Sequence, residues 1–336
     1  MKPIKIAAAS ILLFVAVTAA FVFFDGTNVA APVYTEPPGI LETFLPPEAG
    51  APTEETAVDE SAVPPGVTQI NMPPIYDLYW TLTVNPAEIK KGTLALVNDQ
   101  YGFDPEDAKD LVSLSAEKTS SYLLTDKGGR LTAPVVENLN KMMDGFFAAT
   151  GRRNVSILSS YRTIEKQTQI LEGKAALSGI EEARKWVASP GYSEHHTGMS
   201  FDIAVVIDGI ARTFKGDGDY GWFAEHCFEY GFIRRYPPEK VDITKISYEP
   251  WHFRYVGRPH AEIMSSLGLC LEEYIDFLRA YPFDGKHFIY ELGGTVYELY
   301  YIEGCEIRLP KYKSSTFSGN NADGFIVTVE AANPAG

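Results

Sequence analysis

The chain has 336 residues, 22% of them charged, with a formal net charge of −15 and a sequence pI of about 4.9. That acidity, with no cluster of Lys and Arg, argues against nucleic acid as a partner. The three cysteines, Cys227, Cys270 and Cys305, are too few and too odd in number for a disulfide framework.

Lys2 and Lys5 precede an apolar run over residues 6–24, interrupted only by Ser10 and Thr18. At the helical rise such a run is roughly 28 Å long, close to a bilayer core of about 30 Å. The lysines lie on its N-terminal side and no Lys or Arg follows until Lys90, so the expected arrangement is a cytoplasmic tip over 1–5, a transmembrane anchor over 6–24 and everything else outside the cell. The competing arrangement is a cleaved signal peptide with a site near Val29-Ala30-Ala31 and a secreted product. Residues 25–75 read as a disordered Pro/Glu-rich linker. Its acids, from Asp25 to Glu60, have no basic partner in the stretch and supply over half of the net charge, and it holds too little apolar surface to offset its ordering entropy.

The globular part is expected over 76–283, with a small β-rich appendage over 284–336. Tyr79–Leu82 and Leu94–Asn98 read as extended segments. A helix follows, capped at Thr132, with Pro134 in its first turn, a stripe of Val135, Leu139, Met142, Met143, Phe146 and Phe147, and Gly151 as its stop. Val155–Leu158 is a short strand running into Ser159-Ser160-Tyr161-Arg162. Helices are predicted from Thr163 to near Gly179 and over 181–188, and Pro190-Gly191-Tyr192 is a turn. Ser200, Asp202 and Ala204 alternate with Phe201, Ile203 and Val205, the period of a half-buried strand with Asp202 facing away from the apolar layer. Asp208-Gly209 signals a hairpin. A helix over 220–230 stopped by Gly231, a strand over 232–236, one long amphipathic helix over 259–280, and strands over 288–292, 295–302, 306–309 and 324–329 complete the reading.

The chemistry concentrates in Ser193-Glu194-His195-His196-Thr197-Gly198-Met199-Ser200-Phe201-Asp202 and in Tyr248-Glu249-Pro250-Trp251-His252. His195, Asp202 and His252 make a three-ligand zinc set with one position left for water. Glu249 is then available to take a proton from that water. Pro250 disfavours helix at Glu249, so this is not the helical H-E-x-x-H arrangement. Arg162 stands at a strand end, just before a helix beginning near Thr163. Of the remaining histidines, His196 is expected to point away from its neighbour His195, with a substrate contact left open, and His226, His260 and His287 read as structural or exposed. Neither a G-x-S-x-G elbow nor a Cys/His signature supports a Ser or Cys hydrolase.

The pattern S-x-H-x-x-G-x-x-x-D followed by E-x-W-H resembles the VanY-type D-alanyl-D-alanine carboxypeptidases of the LAS zinc metallopeptidase group. The resemblance extends over 76–283 through Ser159–Arg162, Gln167, Gly231-Phe232-Ile233, Arg235-Tyr236-Pro237 and Glu249–Tyr255. It departs at His196, where Gln is expected, and at Ser200, where Ala is expected. The resemblance implies an α+β fold, with a central antiparallel sheet and flanking helices around one Zn2+ ion. It implies Arg162 and Glu249 as catalytic residues and Tyr161, Gln167 and Ser193 as substrate contacts. The implied substrate is the terminal D-Ala-D-Ala bond of peptidoglycan stem peptides outside the membrane, and its cleavage removes the dipeptide that glycopeptide antibiotics bind. The motifs alone leave open an L,D-carboxypeptidase or endopeptidase using the same site, and a zinc-containing wall-binding module without turnover. Nothing in the sequence sets an oligomeric state.

Overall fold

The computed structural model describes residues 78–331. The stretches expected as anchor and linker and the last residues of the chain lie outside that range, and among the described residues no helix is long and apolar enough to cross a membrane.

The chain opens with β1 (Tyr79–Thr83), then β2 (Leu111–Ser113), the short α1 (Leu114–Glu117), β3 (Leu123–Leu124) and β4 (Arg130–Thr132). Helix α2 (Ala133–Thr150) carries Pro134 in its first turn and ends at Gly151, whose φ of 70° is the left-handed stop that glycine tolerates. Thr132 occupies its N-cap position, although its hydroxyl makes no cap bond. Val135, Leu139, Met142, Met143 and Phe146 recur at helical spacing and are buried, so α2 packs one face into the core. Truncating the fully buried Phe146 to Ala should cost about 3–5 kcal/mol.

β5 (Val155–Ser159) leads to α3 (Ile164–Ser178), whose first turn is capped by Thr163 Oγ1 accepting from Lys166 N at 3.2 Å. α4 (Ile180–Arg184), β6 (Ser200–Ile207), β7 (Ile210–Thr213), α5 (Trp222–His226), β8 (Phe232–Tyr236), α6 (Val241–Thr244) and β9 (Glu249–Tyr255) follow. The central six-stranded sheet has the order β3-β5-β6-β9-β8, with β7 folded back on β6. All its pairings are antiparallel except β3 with β5. Asp208 and Gly209, both at positive φ, form the β6–β7 hairpin turn. Phe201, Ile203 and Val205 enter the main core with α2, as the alternation predicts. Ser200, Asp202 and Ala204 are buried too, so the strand is covered on both faces rather than one.

α7 (His260–Leu267) and α8 (Leu271–Arg279) replace the single long helix expected over 259–280. Gly268, at φ 64°, ends the first, and Cys270 with Glu273 forms a capping box that starts the second. The helix expected over 220–230 is likewise confined to α5 between 3-10 turns, and the one expected over 181–188 stops at Arg184. Leu94–Val97 is buried without being a strand. Within and beside it, Arg254 Nη2 donates to the carbonyls of Thr93 and Ala95, and Asn321 Nδ2 to that of Leu96. A ladder is not needed there.

β10 (Phe288–Leu292), β11 (Thr295–Glu303), β12 (Glu306–Pro310), β13 (Ser314–Gly319) and β14 (Gly324–Ala331) end the described chain. Four of them form the sheet β10-β11-β14-β13, in which β13 has no counterpart in the sequence reading. β12 pairs with β1 instead. A second core joins α7 and α8 to Leu94, Leu96, Phe288, Leu299 and Ile326.

Candidate metal centre

The register of the central sheet assembles the site. Asp202 on β6 lies opposite His252 on β9 and beside Ser159 at the end of β5. Side chains directly opposite on antiparallel strands share a face a few ångströms apart. His195 comes from the 3-10 turn Glu194–Thr197, which ends at Gly198 in the left-handed region with φ 69°. That conformation calls for glycine, and a Cβ there would sit 2.4 Å from Leu111 Cδ2, so the leucine would have to shift. The main chain ties the turn to β5, with Arg162 N donating to His195 O at 3.1 Å.

One donor atom from each of His195, Asp202 and His252 lies within 4.8 Å of the others, and all three residues are buried. His195 Nδ1 donates to Ser160 O at 2.7 Å, which leaves its Nε2 lone pair facing Asp202 Oδ2 at 3.3 Å. His252 shows its Nδ1 to Asp202 Oδ1 at 2.9 Å and its Nε2 to Glu194 Oε2 at 3.2 Å. Two imidazole nitrogens and one carboxylate oxygen, each with its remaining polar atom engaged, are a donor set that fits zinc. The surroundings separate the two imidazoles. Burial and the Arg162 guanidinium push His195 down to about 4. Burial also works against a charge on His252, but its bonds to Asp202 and Glu194 hold it up at about 9. Burial opposes the charge on Asp202 as well, yet His195 and Arg162 keep its carboxyl well below the usual carboxylate range.

Glu249 is buried at the start of β9, with Oε2 4.0 Å from His252 Nδ1. Burial raises its carboxyl to about 8, against the pull of His252. A carboxyl held near neutrality in this way can both accept and return a proton.

Arg162 reaches the same point from beyond β5 and is fixed by three contacts. Nη2 donates to Asp202 Oδ2 at 2.6 Å, Nε to Ser159 Oγ at 2.8 Å and Nη1 to Gln167 Oε1 at 3.2 Å. Not every N–H of the guanidinium is engaged, so the group is immobilised and still able to donate. Gln167, expected as a substrate contact, has both ends of its amide occupied, since Nε2 also donates to Ala188 O at 2.8 Å. Tyr161 gives its hydroxyl to Pro105 O at 3.3 Å and packs under Arg130. Ser193 is buried at the head of the His195 turn. His196 turns away from the ligands and is enclosed.

The sequence reading gave no role to Glu194, Arg235, Arg254 or Glu272. Glu194 Oε1 accepts from Arg235 Nε at 2.8 Å and Arg254 Nη1 at 3.1 Å. Burial opposes ionisation of Glu194, but these guanidiniums hold its carboxyl far below the usual range. The available signal was an arginine next to an aromatic residue within each of two strands, Arg235 in Phe232–Tyr236 and Arg254 in Glu249–Tyr255, since a buried charge must find a buried partner. Ser200 contributes as well, with its Oγ donating to Glu194 Oε2 at 3.3 Å.

Tyr236, whose ring lies 4.9 Å from that of His252, forms one wall of a cleft of about 310 Å³. Asn98, Asp99, Arg184, Lys185, Ala188 and Lys245 are among its other lining residues.

Residues 129–258 match the family model VanY, D-alanyl-D-alanine carboxypeptidase. Over 253 residues the chain is 32% identical to a D-alanyl-D-alanine carboxypeptidase of Enterococcus faecium, an alignment covering 74% of this chain and 78% of that one. It is 37% identical over 143 residues to VanXYC, a bifunctional D-Ala-D-Ala dipeptidase and carboxypeptidase of Enterococcus gallinarum, covering 41% of this chain and 75% of that one. Among solved structures, the vancomycin-resistance D,D-dipeptidase VanXYg, in complex with a D-Ala-D-Ala phosphinate analogue, is similar with a TM-score of 0.68 at 33% identity. That similarity covers 75% of this chain and 99% of the other. With a relative at this identity matched over most of its length, and with motif residues that converge on one donor set, this chain belongs to the VanY D-alanyl-D-alanine carboxypeptidase family.

Proposed function

We propose that the protein is a zinc-dependent D,D-carboxypeptidase that removes the terminal D-Ala from peptidoglycan stem peptides. The observation that carries this reading is the convergence on one point of three metal donors, a buried carboxyl at Glu249 and an immobilised guanidinium at Arg162.

His195, Asp202 and His252 would hold one ion. When bound, zinc supplies Lewis-acid chemistry, acidifying water and polarising a carbonyl oxygen. Glu249 takes the proton of the attacking water and gives it to the amine that leaves as D-Ala. Arg162, fixed by Asp202, Ser159 and Gln167, donates to the carbonyl oxygen as negative charge develops there. Gln167 acts through Arg162, accepting from its Nη1 while its own Nε2 is anchored to Ala188 O. The cleft beside Tyr236 takes the part of the stem that precedes the scissile bond; basic Arg184, Lys185 and Lys245 and acidic Asp99 at its walls suit a peptide carrying both carboxylates and an amine.

The wider architecture follows from the same reading. Residues 6–24 anchor the chain, 25–75 carry the catalytic part over 76–283 away from the membrane, and 284–336 form an appendage to it. Loss of the terminal D-Ala would remove the dipeptide target of glycopeptide antibiotics.

The test is mass spectrometry of a muramyl pentapeptide, a tetrapeptide and free D-Ala-D-Ala incubated with the protein, with and without a chelator. Chelator-sensitive loss of one D-Ala from the pentapeptide, abolished by Glu249→Gln, is the expected result. Turnover of the tetrapeptide or the free dipeptide alone would replace this specificity with an L,D-carboxypeptidase or a dipeptidase.

A further inference from the structure

The carboxylate of Glu194 is 1% exposed and touches the one nitrogen of His252 that faces away from Asp202. Behind it stands a buried ion chain. Arg235 and Arg254 converge on Oε1, and Arg235 forks onto Glu272 of α8 at 2.8 and 2.6 Å. Arg254 turns its other end to the carbonyls of Thr93 and Ala95 at 3.0 and 2.9 Å. Glu194, Arg235, Arg254 and Glu272 together carry no net charge.

Stability does not account for this arrangement, because buried ion groups are commonly no better for stability than apolar residues of the same volume. Only Glu194 among the four touches a metal ligand. An imidazole is free to turn about its side-chain torsions, and either ring nitrogen can bind metal. A hydrogen bond from the distal N–H to a fixed carboxylate settles both choices and makes the ring a better donor.

We infer that Glu194 is the positioning residue of the metal site: it fixes His252 with Nε2 protonated and Nδ1 turned towards Asp202, and Arg235, Arg254 and Glu272 hold its carboxylate in place. The inference rests on the zinc reading proposed above. Ser200, which stands where relatives are expected to carry Ala, adds a further donor to the same carboxylate and is the dispensable part of the device.

The experiment uses the full chain in detergent, labelled with 15N-histidine and loaded with zinc. Long-range 1H–15N correlations should show His252 with its proton on Nε2 and the metal on Nδ1. Competition with a chromophoric chelator should give a zinc Kd weakened about 10–100-fold by Glu194→Gln, with Ser200→Ala close to the parent. If Glu194→Gln fails to fold, Glu194→Gln/Arg254→Gln removes one charge of each sign and should show the same loss of affinity. A His252 that binds zinc through Nε2 overturns the inference while leaving the metal site standing. So does a folded variant, single or double, with unchanged zinc affinity. Absence of zinc binding by the parent chain overturns both.

Discussion

His196 joins the backbone of Arg162 to that of Gly191: its Nδ1 donates to Arg162 O at 2.7 Å, and its Nε2 accepts from Gly191 N at 3.1 Å. A residue adjacent to a metal ligand thus works as a brace under the guanidinium and the turn that delivers Ser193. Burial lowers its basicity, which suits a neutral ring that donates at one end and accepts at the other.

A glutamine can do the same with its amide. His196→Gln should therefore keep kcat/KM within a few fold of the parent. His196→Ala takes this partner from a part-buried carbonyl and a part-buried N–H, at up to about 1–3 kcal/mol each. It should lower Tm by several degrees and kcat/KM by about tenfold or more as Arg162 loosens. Steady-state kinetics and thermal melts of both variants check this.

Glu249 makes the metal-stripped protein sensitive to alkali. Its folded carboxyl sits at about 8 against an ordinary value of 4.5. Such a raised group contributes stability that is complete below about 4.5 and is lost as pH rises through 8. Glu249→Gln has no proton to lose. Metal-stripped Glu249→Gln should melt several degrees above the metal-stripped parent at pH 8.5, and the gap should close at pH 5.

Zinc binding should release protons. In metal-stripped protein His252 is held up at about 9, so it is charged at pH 7, and a ligand nitrogen must be free of its proton. Titration calorimetry in buffers of different ionisation enthalpy should report release of about one proton or more per zinc at pH 7. The release should diminish towards pH 10.

His260 is an acid-labile pin. It is buried between Tyr274 Oη at 2.9 Å and Thr328 Oγ1 at 3.0 Å, and burial pushes it down to about 3 from an ordinary 6.5. The stability it contributes is present above 6.5 and is lost as pH falls towards 3, because the unfolded chain takes a proton that the folded one refuses. Urea unfolding of His260→Gln should show a lower midpoint at pH 7 than the parent and a shallower decline between pH 6 and 4.

The grouping of His195, Asp202 and His252, with Glu249 beside them, was readable in the sequence because its signals are local. His195 and Asp202 flank a glycine turn and an alternating strand, and Pro250 announces an extended approach to His252. The same local logic found α2, the β6–β7 hairpin and the start of α3. What escaped is set by register. Glu194 meets Arg235 and Arg254 only because β8, β9 and β6 lie side by side, and no periodicity announces that a charge in the middle of a strand will find its partner dozens of residues away. The buried segment Leu94–Val97 joins no sheet for a related reason: its apolar side chains match an extended segment, and side chains of Arg254 and Asn321 take up the carbonyls of Ala95 and Leu96. Gly268 did signal the break between α7 and α8, and the apolar stripe across it masked that signal.

β1 is held antiparallel to β12, from Tyr79 opposite Pro310 to Thr83 opposite Glu306, and Tyr79 packs edge-on against Phe283 at 4.9 Å. Any tension transmitted along the chain from residues before Leu78 therefore enters the molecule at a strand that belongs to none of the ligand-bearing pairs. The β1–β12 ladder and the aromatic contact beneath it carry that load first. Traction on the N-terminal side would peel this clasp before it disturbed the alignment of Asp202 with His252.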